Sequence, residues 1–273
     1  QMCIRDRHMD SISISVIIPA YNAGDFLSTA VQSVLNQSHR NLELLIIDDA
    51  STDATGQLAQ VFAAQDARVR YHRNPSNTGV ARSRNLGVSL ARFDWIAFLD
   101  SDDRWQPDKL ALQAAYLQRH AVDLVYTGYD LMDAAGRPIG FRFHVPETLT
   151  YPQLLRQNLI SCSGILLKKR WCQKFPMDAD VFHEDFLNWL SMLRYGAAAG
   201  GIDLPLHTVR IGRPRSKSGN KLRSAAANLQ TYRRLGFSPT QIAFYMSCYL
   251  RRSLMKYGKI CLAPRHGNGR PVL

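Results

Sequence analysis

The sequence has no apolar run of the roughly 20 residues that a membrane-spanning helix needs, and its longest runs, such as SVIIPAY and LELLII, are short and strand-like. It has only 5 cysteines and no C-x-x-C pair, so neither a structural zinc site nor a disulfide framework is indicated. No G-x-G-x-x-G motif follows the first predicted strand, which disfavours a nicotinamide-dependent dehydrogenase. We therefore predict a reduced, cytoplasmic protein of another class.

Acidic residues are missing from the last quarter of the chain. None follows Asp203, whereas 14 lysines and arginines lie between Arg210 and Arg270. The net charge of +12 therefore belongs to this segment. Such an asymmetry favours a polyanionic partner for it, namely anionic lipid, pyrophosphate or nucleic acid.

The first half of the chain alternates between two hydrophobic periods. Strand-like segments are predicted at 12–20, 42–47, 69–72 and 95–99, and helix-like segments lie between them. This alternation predicts βαβ units, hence an α/β fold with a mostly parallel sheet and helices on both faces. The second half is more mixed and contains a predicted hairpin with the turn AAGRP.

Polar residues follow three of the predicted strands: Tyr21 and Asn22, Asp48 and Asp49, and Asp100 and Asp102. Because the carboxyl ends of parallel strands meet at one edge of a sheet, we expect these residues to converge there. Carboxylates at a strand end can hold a hard divalent cation and leave room for phosphate oxygens. We expect this role for Asp100 and Asp102, whereas the ordinary alternative, a helix N-cap, is what we expect for Asp103.

Four segments carry a family resemblance: SVIIPAYNAGDFL, LIIDDASTD, NTGVARSRNLGV and WIAFLDSDDRWQPDKL. Together they resemble the nucleotide-binding half of inverting family 2 glycosyltransferases, which have the Rossmann-like GT-A fold. Each is weak alone, but their order and spacing are specific. The resemblance implies a GT-A catalytic domain at 12–205, divided into a nucleotide half (12–110) and an acceptor half (111–205). Outside it we predict a disordered or non-native leader (1–11) and a basic helical extension (206–273).

The resemblance implies roles for residues after the first two strands. Those against a uridine-type base and ribose of the donor would be Pro19, Ala20, Tyr21 and Asn22. Asp49 would accept a hydrogen bond from the ring N–H of the base. A helix cap is the alternative for Asp49.

The next two segments supply the diphosphate end of the predicted site. By resemblance, Arg84 would contact base or phosphate, Asp100 would lie near the ribose, and Asp102 would ligate a divalent metal, Mn²⁺ or Mg²⁺. A metal that bridges the diphosphate oxygens neutralises the charge of the leaving group. The alternative for Arg84 is a solvated helix face that it shares with Arg82.

The segment FHEDFLNW provides a candidate base. A carboxylate here can take the proton of the acceptor hydroxyl, although acidic residues are also ordinary at a helix start. The resemblance assigns Asp185 as the base, with Glu184 in support. Trp189, one turn later, would line the acceptor pocket or belong to the core.

Similar enzymes often have an R-x-H-x-x-S-x-S-like stretch after the last strand, whose His helps to hold the diphosphate or metal. The corresponding stretch here is VRIGRPRSKS, which lacks the His. We expect Arg213 or Lys217 to supply the positive charge instead, as phosphate ligands.

The C-terminal extension contains an amphipathic, cation-rich segment. Its residues near one helical face are Ile242, Met246, Tyr249, Leu250 and Tyr257, with arginines and lysines close by. Such a helix can lie on an anionic membrane surface, but it can equally pack on the catalytic domain with its charges in water. The membrane alternative suits a lipid-linked acceptor and a location on the inner face of the cell membrane.

These observations together predict a glycosyltransferase of surface-polysaccharide assembly. Its donor would be a nucleotide-diphosphate sugar, UDP-linked, and its acceptor a saccharide or lipid-linked saccharide. A nucleic-acid-binding or phosphate-binding module is the alternative that the basic tail suggests, but it leaves the acidic strand ends unexplained, so no nucleic acid is expected. A phospho-acceptor signalling domain leaves DSDD and the second half unexplained.

Overall fold

The structure, a computed structural model, describes residues 12–212 and 221–262. The predicted leader at 1–11 lies outside these residues. The strands of the described residues are β1 Ile14–Ala20, β2 Leu42–Asp48, β3 Val69–Arg73, β4 Trp95–Phe98, β5 Arg104–Trp105, β6 Leu124–Met132, β7 Pro138–Phe143, β8 Leu166–Lys168 and β9 Ala199–Arg210.

The helices of the described residues include the four predicted between or after the first strands, the one predicted to begin at Glu184, the two predicted in the basic extension, and two short ones at Tyr151–Arg156 and Lys169–Lys174 that were not predicted. They are α1 Gly24–Leu35, α2 Thr55–Gln65, α3 Val80–Leu90, α4 Lys109–Arg119, α5 Tyr151–Arg156, α6 Lys169–Lys174, α7 Glu184–Arg194, α8 Lys221–Arg234 and α9 Pro239–Leu262, with a short 3₁₀ helix at Cys162–Gly164.

The strands form one sheet in the order β3-β2-β1-β4-β8-β6-β9-β5, and β7 pairs with β6. The pairs β1/β2, β1/β4 and β2/β3 are parallel, as the alternation predicts. From β8 onward the sheet is mixed: β4/β8 and β6/β8 are antiparallel, and β6/β9 is parallel. The carboxyl ends of β1, β2 and β4 therefore share one edge, which we call the carboxyl edge.

The strands β1, β2 and β4 are almost continuously apolar, and they are buried on both faces. Along β1, Val16 and Ile18 face one hydrophobic cluster, whereas Ile17 between them faces the other. This two-residue alternation between two cores is what a strand covered by helices on both sides requires. The α/β class and the predicted hairpin, formed by β6 and β7, are confirmed.

Two elements have other ends than the sequence pattern suggests. The strand β9 continues through Arg210, past residue 206 where we predict the extension to begin, because it pairs with β6 along its length. The helix after DSDD begins only at Lys109, so Asp103 does not cap it.

The helices α8 and α9 share the core of the catalytic domain. Tyr232 of α8 is 1% exposed, and its hydroxyl donates to the Leu155 carbonyl at 2.7 Å. On α9, Ile242 and Met246 of the face predicted for a membrane pack against the same core, whereas Leu250 of that face is 51% exposed. No helix of the described residues is long and apolar enough to cross a membrane.

Candidate active site

The loops after β1 and β2 are joined at the carboxyl edge. Asn22 has a left-handed backbone (φ 47°), its N–H donates to Ser51 Oγ at 3.0 Å, and its Oδ1 accepts from the Thr52 N–H at 2.9 Å. A short amide side chain tolerates this backbone well. Pro19 and Ala20 are buried at the end of β1, whereas Tyr21 is 50% exposed. The ring of Tyr21 is thus accessible beside the fixed turn at Asn22.

Asp49 is buried directly behind this turn. Its Oδ1 accepts from Asn74 Nδ2 at 2.7 Å and from the Thr78 N–H at 2.9 Å, and its Oδ2 accepts from the Gly79 N–H at 2.7 Å. Burial raises the pKa of Asp49, but these hydrogen bonds outweigh it and lower the pKa below the ordinary value. Its bonds run to the loop before α3 and not to α2, so Asp49 is not the cap of α2.

The DSDD loop is held by Ser163, which precedes β8. Ser163 Oγ accepts from the Asp100 N–H at 3.1 Å and donates to Asp103 Oδ2 at 2.6 Å. The Arg210 N–H of β9 donates to Asp103 Oδ1 at 2.9 Å, and Arg210 Nε donates to the Asp102 carbonyl at 3.1 Å. Asp103 is thus a buried anchor of the loop. Burial raises its pKa well above the usual value, and nearby Asp100 and Asp102 add to the rise.

A buried polar cluster lies beneath the loop. Trp105 Nε1 donates to the Ser163 carbonyl at 2.7 Å, and Lys109 Nζ lies 4.0 Å from the centroid of the Trp105 ring. Lys109 Nζ also donates to Gln113 Oε1 at 2.8 Å. Lys109 has no exposed surface, and burial lowers its pKa well below the usual value. The cluster thereby fixes Ser163, which holds the backbone of the DSDD loop.

Arg84 connects the two halves of the domain. It is 4% exposed, its Nη2 donates to Asp100 Oδ1 at 2.6 Å, and its Nη1 donates to Glu184 Oε1 at 3.0 Å. The solvated-face alternative therefore does not apply to Arg84, although Arg82 on the same helix is exposed. A guanidinium can serve two carboxylates because its donors diverge in one plane.

Asp185 lies in the first turn of α7, beside this ion pair. Its Oδ1 accepts from the Phe186 N–H at 2.7 Å. Burial raises the pKa of Asp185, and adjacent Glu184 adds to the rise, against the lowering influence of Arg84 and His183. A carboxyl whose pKa is raised toward neutrality is a better proton acceptor than an ordinary Asp.

Of three further residues named from the sequence, one lies in the hydrophobic core and two lie outside the described residues. Trp189 has no exposed surface and belongs to the hydrophobic core, so it cannot line an open pocket. Of the two alternatives for Trp189, the structure selects the core, because its indole packs among the buried residues of the acceptor half. Arg213 and Lys217 lie outside the described residues.

The acidic residues suit a metal that arrives with a diphosphate. Among the described residues no group of three or more His, Cys, Asp or Glu side chains is arranged to hold a metal ion. Asp100 and Asp102 nevertheless provide hard carboxylate oxygens at the carboxyl edge, and the Asp100 side chain is 38% exposed. Mg²⁺ and similar ions are commonly bound by one or two carboxylates plus substrate phosphates. The residues therefore fit a cation shared with the substrate.

Sequence reasoning missed the residues that hold the DSDD loop. Ser163 carries no local signal, and Arg210 was missed because Pro205 interrupts the strand pattern of β9. Asn74 follows β3 in the same way that Asp49 follows β2. The strand-end argument applied to β3 would have found it.

Comparison with known proteins agrees with this geometry. A family model described as Glycosyl transferase family 2 matches residues 15–170. The putative teichuronic acid biosynthesis glycosyltransferase TuaG of Bacillus subtilis (strain 168) is 35% identical over 222 residues, 81% of this chain and 88% of that protein.

Two further proteins are similar in sequence or fold. The UDP-Glc:alpha-D-GlcNAc-diphosphoundecaprenol beta-1,3-glucosyltransferase WfgD of Escherichia coli is 34% identical and covers 68% of this chain and 72% of its own length. The crystal structure of S. aureus TarS 1-349 in complex with UDP-GlcNAc superposes with a TM-score of 0.68 at 16% identity, over 89% of this chain and 73% of that one. The latter similarity establishes the GT-A fold.

Proposed function

The chain belongs to glycosyl transferase family 2, and from that premise we propose that it transfers a sugar from a UDP-sugar to a hydroxyl group of a lipid-linked saccharide. The general activity, glycosyl transfer, follows from the family and from relatives named as glycosyltransferases of surface-polysaccharide synthesis. The observation that carries the proposal is the Arg84 bridge. It joins Asp100, at the carboxyl edge, to Glu184, which is the neighbour of the proposed base.

The carboxyl edge supports a nucleotide donor. Tyr21 offers an exposed ring for the base, and the turn at Asn22 is fixed by bonds to the loop after β2. The pKa of Asp49 is lowered, so it is a carboxylate at neutral pH and can accept a hydrogen bond from a pyrimidine ring N–H. UDP is favoured because the name of WfgD and the TarS complex both specify a UDP-sugar.

We assign Asp102 as the protein ligand of a divalent metal, with Asp100 beside it. When bound with the donor, Mn²⁺ or Mg²⁺ would neutralise charge on the departing diphosphate. The protein's own contribution is to fix the DSDD backbone through Ser163 and Arg210, so that the carboxylates need little rearrangement.

The proposed chemical step is one displacement. Asp185 accepts the proton of the acceptor hydroxyl while that oxygen forms a bond to the anomeric carbon of the sugar. The bond between this carbon and the diphosphate oxygen breaks, and UDP leaves with its electron pair. Attack opposite the leaving group inverts the anomeric centre. Burial near Glu184 raises the pKa of Asp185 and thereby strengthens it as a base.

The outer face of α9 supports an acceptor presented by a membrane. Its exposed apolar residues are Phe244, Leu250, Leu254 and Met255, of which Leu254 is 75% exposed. Leu250 and Leu254 are one turn apart, and exposed Arg251 lies between them in sequence. This face shares Leu250 with the one the sequence indicated, but it excludes Ile242 and Met246, which contact the core. Apolar contact combined with cationic side chains is the chemistry of attachment to an anionic lipid surface.

A transfer assay tests the proposal. The full chain is incubated with Mn²⁺, a panel of UDP-, GDP- and dTDP-sugars, and a short polyprenyl-diphosphate-linked GlcNAc, and products are identified by mass spectrometry. We expect one added sugar and release of UDP from a UDP-sugar. If another nucleotide serves as donor, the base assignment is wrong, and if no sugar nucleotide binds or reacts, the proposed function fails.

Vesicle sedimentation tests the membrane face separately. At low salt we expect the chain to bind vesicles with 30% phosphatidylglycerol and not pure phosphatidylcholine vesicles. The double variant Leu250→Ser/Leu254→Ser should lose this binding. Val61→Ser, at an exposed apolar residue of α2 that is 50% exposed, is the control. Equal vesicle binding by the double variant and the control would show that the α9 face does not bind the membrane.

A further inference from the structure

The segment 177–183, which leads into α7, is fixed at its start by the nucleotide half. Asn85 of α3 pairs with Met177 through two bonds: its Nδ2 donates to the Met177 carbonyl at 2.8 Å, and its Oδ1 accepts from the Met177 N–H at 2.9 Å. These two bonds satisfy both the N–H and the carbonyl of Met177, which is buried. The beginning of the segment is therefore bound to the helix that carries Arg84.

The end of the same segment is fixed by the C-terminal extension. Four contacts connect it to α8: Gln230 Nε2 to the Asp180 carbonyl at 3.0 Å, the Arg223 guanidinium over the Phe182 ring at 4.4 Å, Arg234 to Asp178 at 3.7 Å, and His183 Nδ1 to Asn228 Oδ1 at 3.0 Å. The first three involve exposed side chains or the backbone. The fourth is the contact nearest to the proposed base.

The hydrogen bond between His183 and Asn228 determines which ring nitrogen of His183 carries the proton. Asn228 is 4% exposed, and its Oδ1 can only accept, so Nδ1 of His183 carries the proton. His183 directly precedes α7 and is two residues before Asp185. The bond to Asn228 therefore ties α8 to the residue directly before the turn of α7 that carries Asp185.

We infer that Asn228 is a positioning residue for glycosyl transfer, acting through His183 on Asp185. This inference rests on the proposed role of Asp185. It makes the extension part of the catalytic apparatus, although α8 lies beyond the residues 15–170 that the family model matches. Small displacements of a reacting group are costly: a shift of about 1 Å can reduce the rate about 100-fold.

Three variants of the full chain test the inference. Asn228→Ala removes the acceptor, Asn228→Asp keeps an oxygen at the same place, and Thr231→Val is the matched control. Thr231 is a buried polar residue of α8 whose hydroxyl donates only within the helix, to the Ala227 carbonyl. We expect Asn228→Ala to lower kcat about 10- to 100-fold while the Kd of UDP stays within about twofold. Asn228→Asp should recover most of kcat, and Thr231→Val should retain it.

A second readout does not depend on activity. Long-range ¹⁵N–¹H spectra of the histidine rings, with His183 assigned by a His183→Gln variant, report which ring nitrogen is protonated. We expect the Nδ1–H form in the wild type and Thr231→Val, and a change toward the Nε2–H form in Asn228→Ala.

The outcomes separate this inference from the proposed function. A kcat in Asn228→Ala equal to that of Thr231→Val, or an Nε2–H form in the wild type, overturns the inference while leaving glycosyl transfer in place. A joint loss of UDP binding and kcat in Asn228→Ala also overturns it, since general damage then explains the loss. Absence of transfer by the wild type, with the Nδ1–H form present, refutes the proposed function instead.

Discussion

Arg84 and Glu184 form a buried ion pair across 100 positions of the chain, with 3.0 Å between Nη1 and Oε1. Their side chains are 5% and 6% exposed. Asp100 accepts from the second terminal nitrogen of Arg84, Nη2, whereas the buried Nε of Arg84 has no hydrogen-bond partner among the described residues. The pair therefore couples the folding of the acceptor half to that of the nucleotide half.

Arg84→Ala is expected to lower the free energy of unfolding by about 3–5 kcal/mol, because it removes the guanidinium that pairs with the buried Glu184 carboxylate. Arg82→Ala removes an exposed arginine from the same helix and should change stability by less than about 0.5 kcal/mol. Urea denaturation followed by circular dichroism measures both. Equal stability of the two variants would show that the bridge is not structurally important.

The buried Lys109 predicts a dependence of stability on pH. Burial lowers its pKa in the folded protein well below the ordinary value near 10.5. Between these two pKa values the unfolded chain binds one proton more than the folded chain, so rising pH stabilises the fold, by up to about 1.4 kcal/mol per pH unit. The wild type should therefore gain stability relative to Lys109→Met as the pH rises toward 10.

Denaturation at a series of pH values checks this difference. Lys109→Met also removes the donor of Gln113 Oε1, but that loss is the same at every pH and does not affect the slope. Lys174→Met, at an exposed lysine, is the control and should run parallel to the wild type. Parallel curves for Lys109→Met and the wild type would mean that Lys109 keeps its charge in the fold.

Asp102→Ala is expected to reduce metal-dependent turnover at least about 100-fold without unfolding the protein. Asp102 is half-buried, whereas the loop itself is held by Ser163 and Asp103. Initial rates over a range of Mn²⁺ concentrations, with melting temperatures, measure the two effects. Asp108→Ala, an exposed acidic residue of the same segment, should behave as the wild type. A rate unchanged by Asp102→Ala would exclude it as the metal ligand.

The raised pKa of Asp185 predicts the acidic limb of the pH–rate profile. A base acts only when deprotonated, so activity should fall as the pH drops through this pKa, at a pH above the ordinary Asp value of about 3.9. The profile of kcat/KM measures it in the free enzyme. A limb at or below the ordinary value would contradict the burial of this carboxyl.

The sequence predicted the nucleotide half well and the acceptor half poorly. Two of its strands, Leu42–Asp48 and Trp95–Phe98, are almost continuous apolar runs that end at acidic residues. Such a pattern predicts a buried parallel strand with a polar end. By contrast, β9 contains Gly, Asp and Pro, and it forms a strand only because β6 is there to pair with it. Tertiary pairing of this kind leaves no local trace.

The candidate site shows the same division. Asp49 and Asp100 could be named because each directly follows a predicted strand, whereas the partners that fix them could not. Asp103 was expected at a helix cap, since carboxylates are common there, yet Ser163 and Arg210 bind it from distant elements. Trp189 was ambiguous because an aromatic residue one turn from a base can face either way. Only packing against the core decides its direction.

The Asp185→Asn variant tests the central claim most directly, with binding of a UDP-sugar and transfer from it measured on the same preparation. We predict that the variant binds the donor as tightly as the wild type, by calorimetry, while kcat falls at least about 100-fold. Asp180→Asn, at an exposed acidic residue of the preceding segment, should retain both properties. Full transfer by Asp185→Asn would contradict the account.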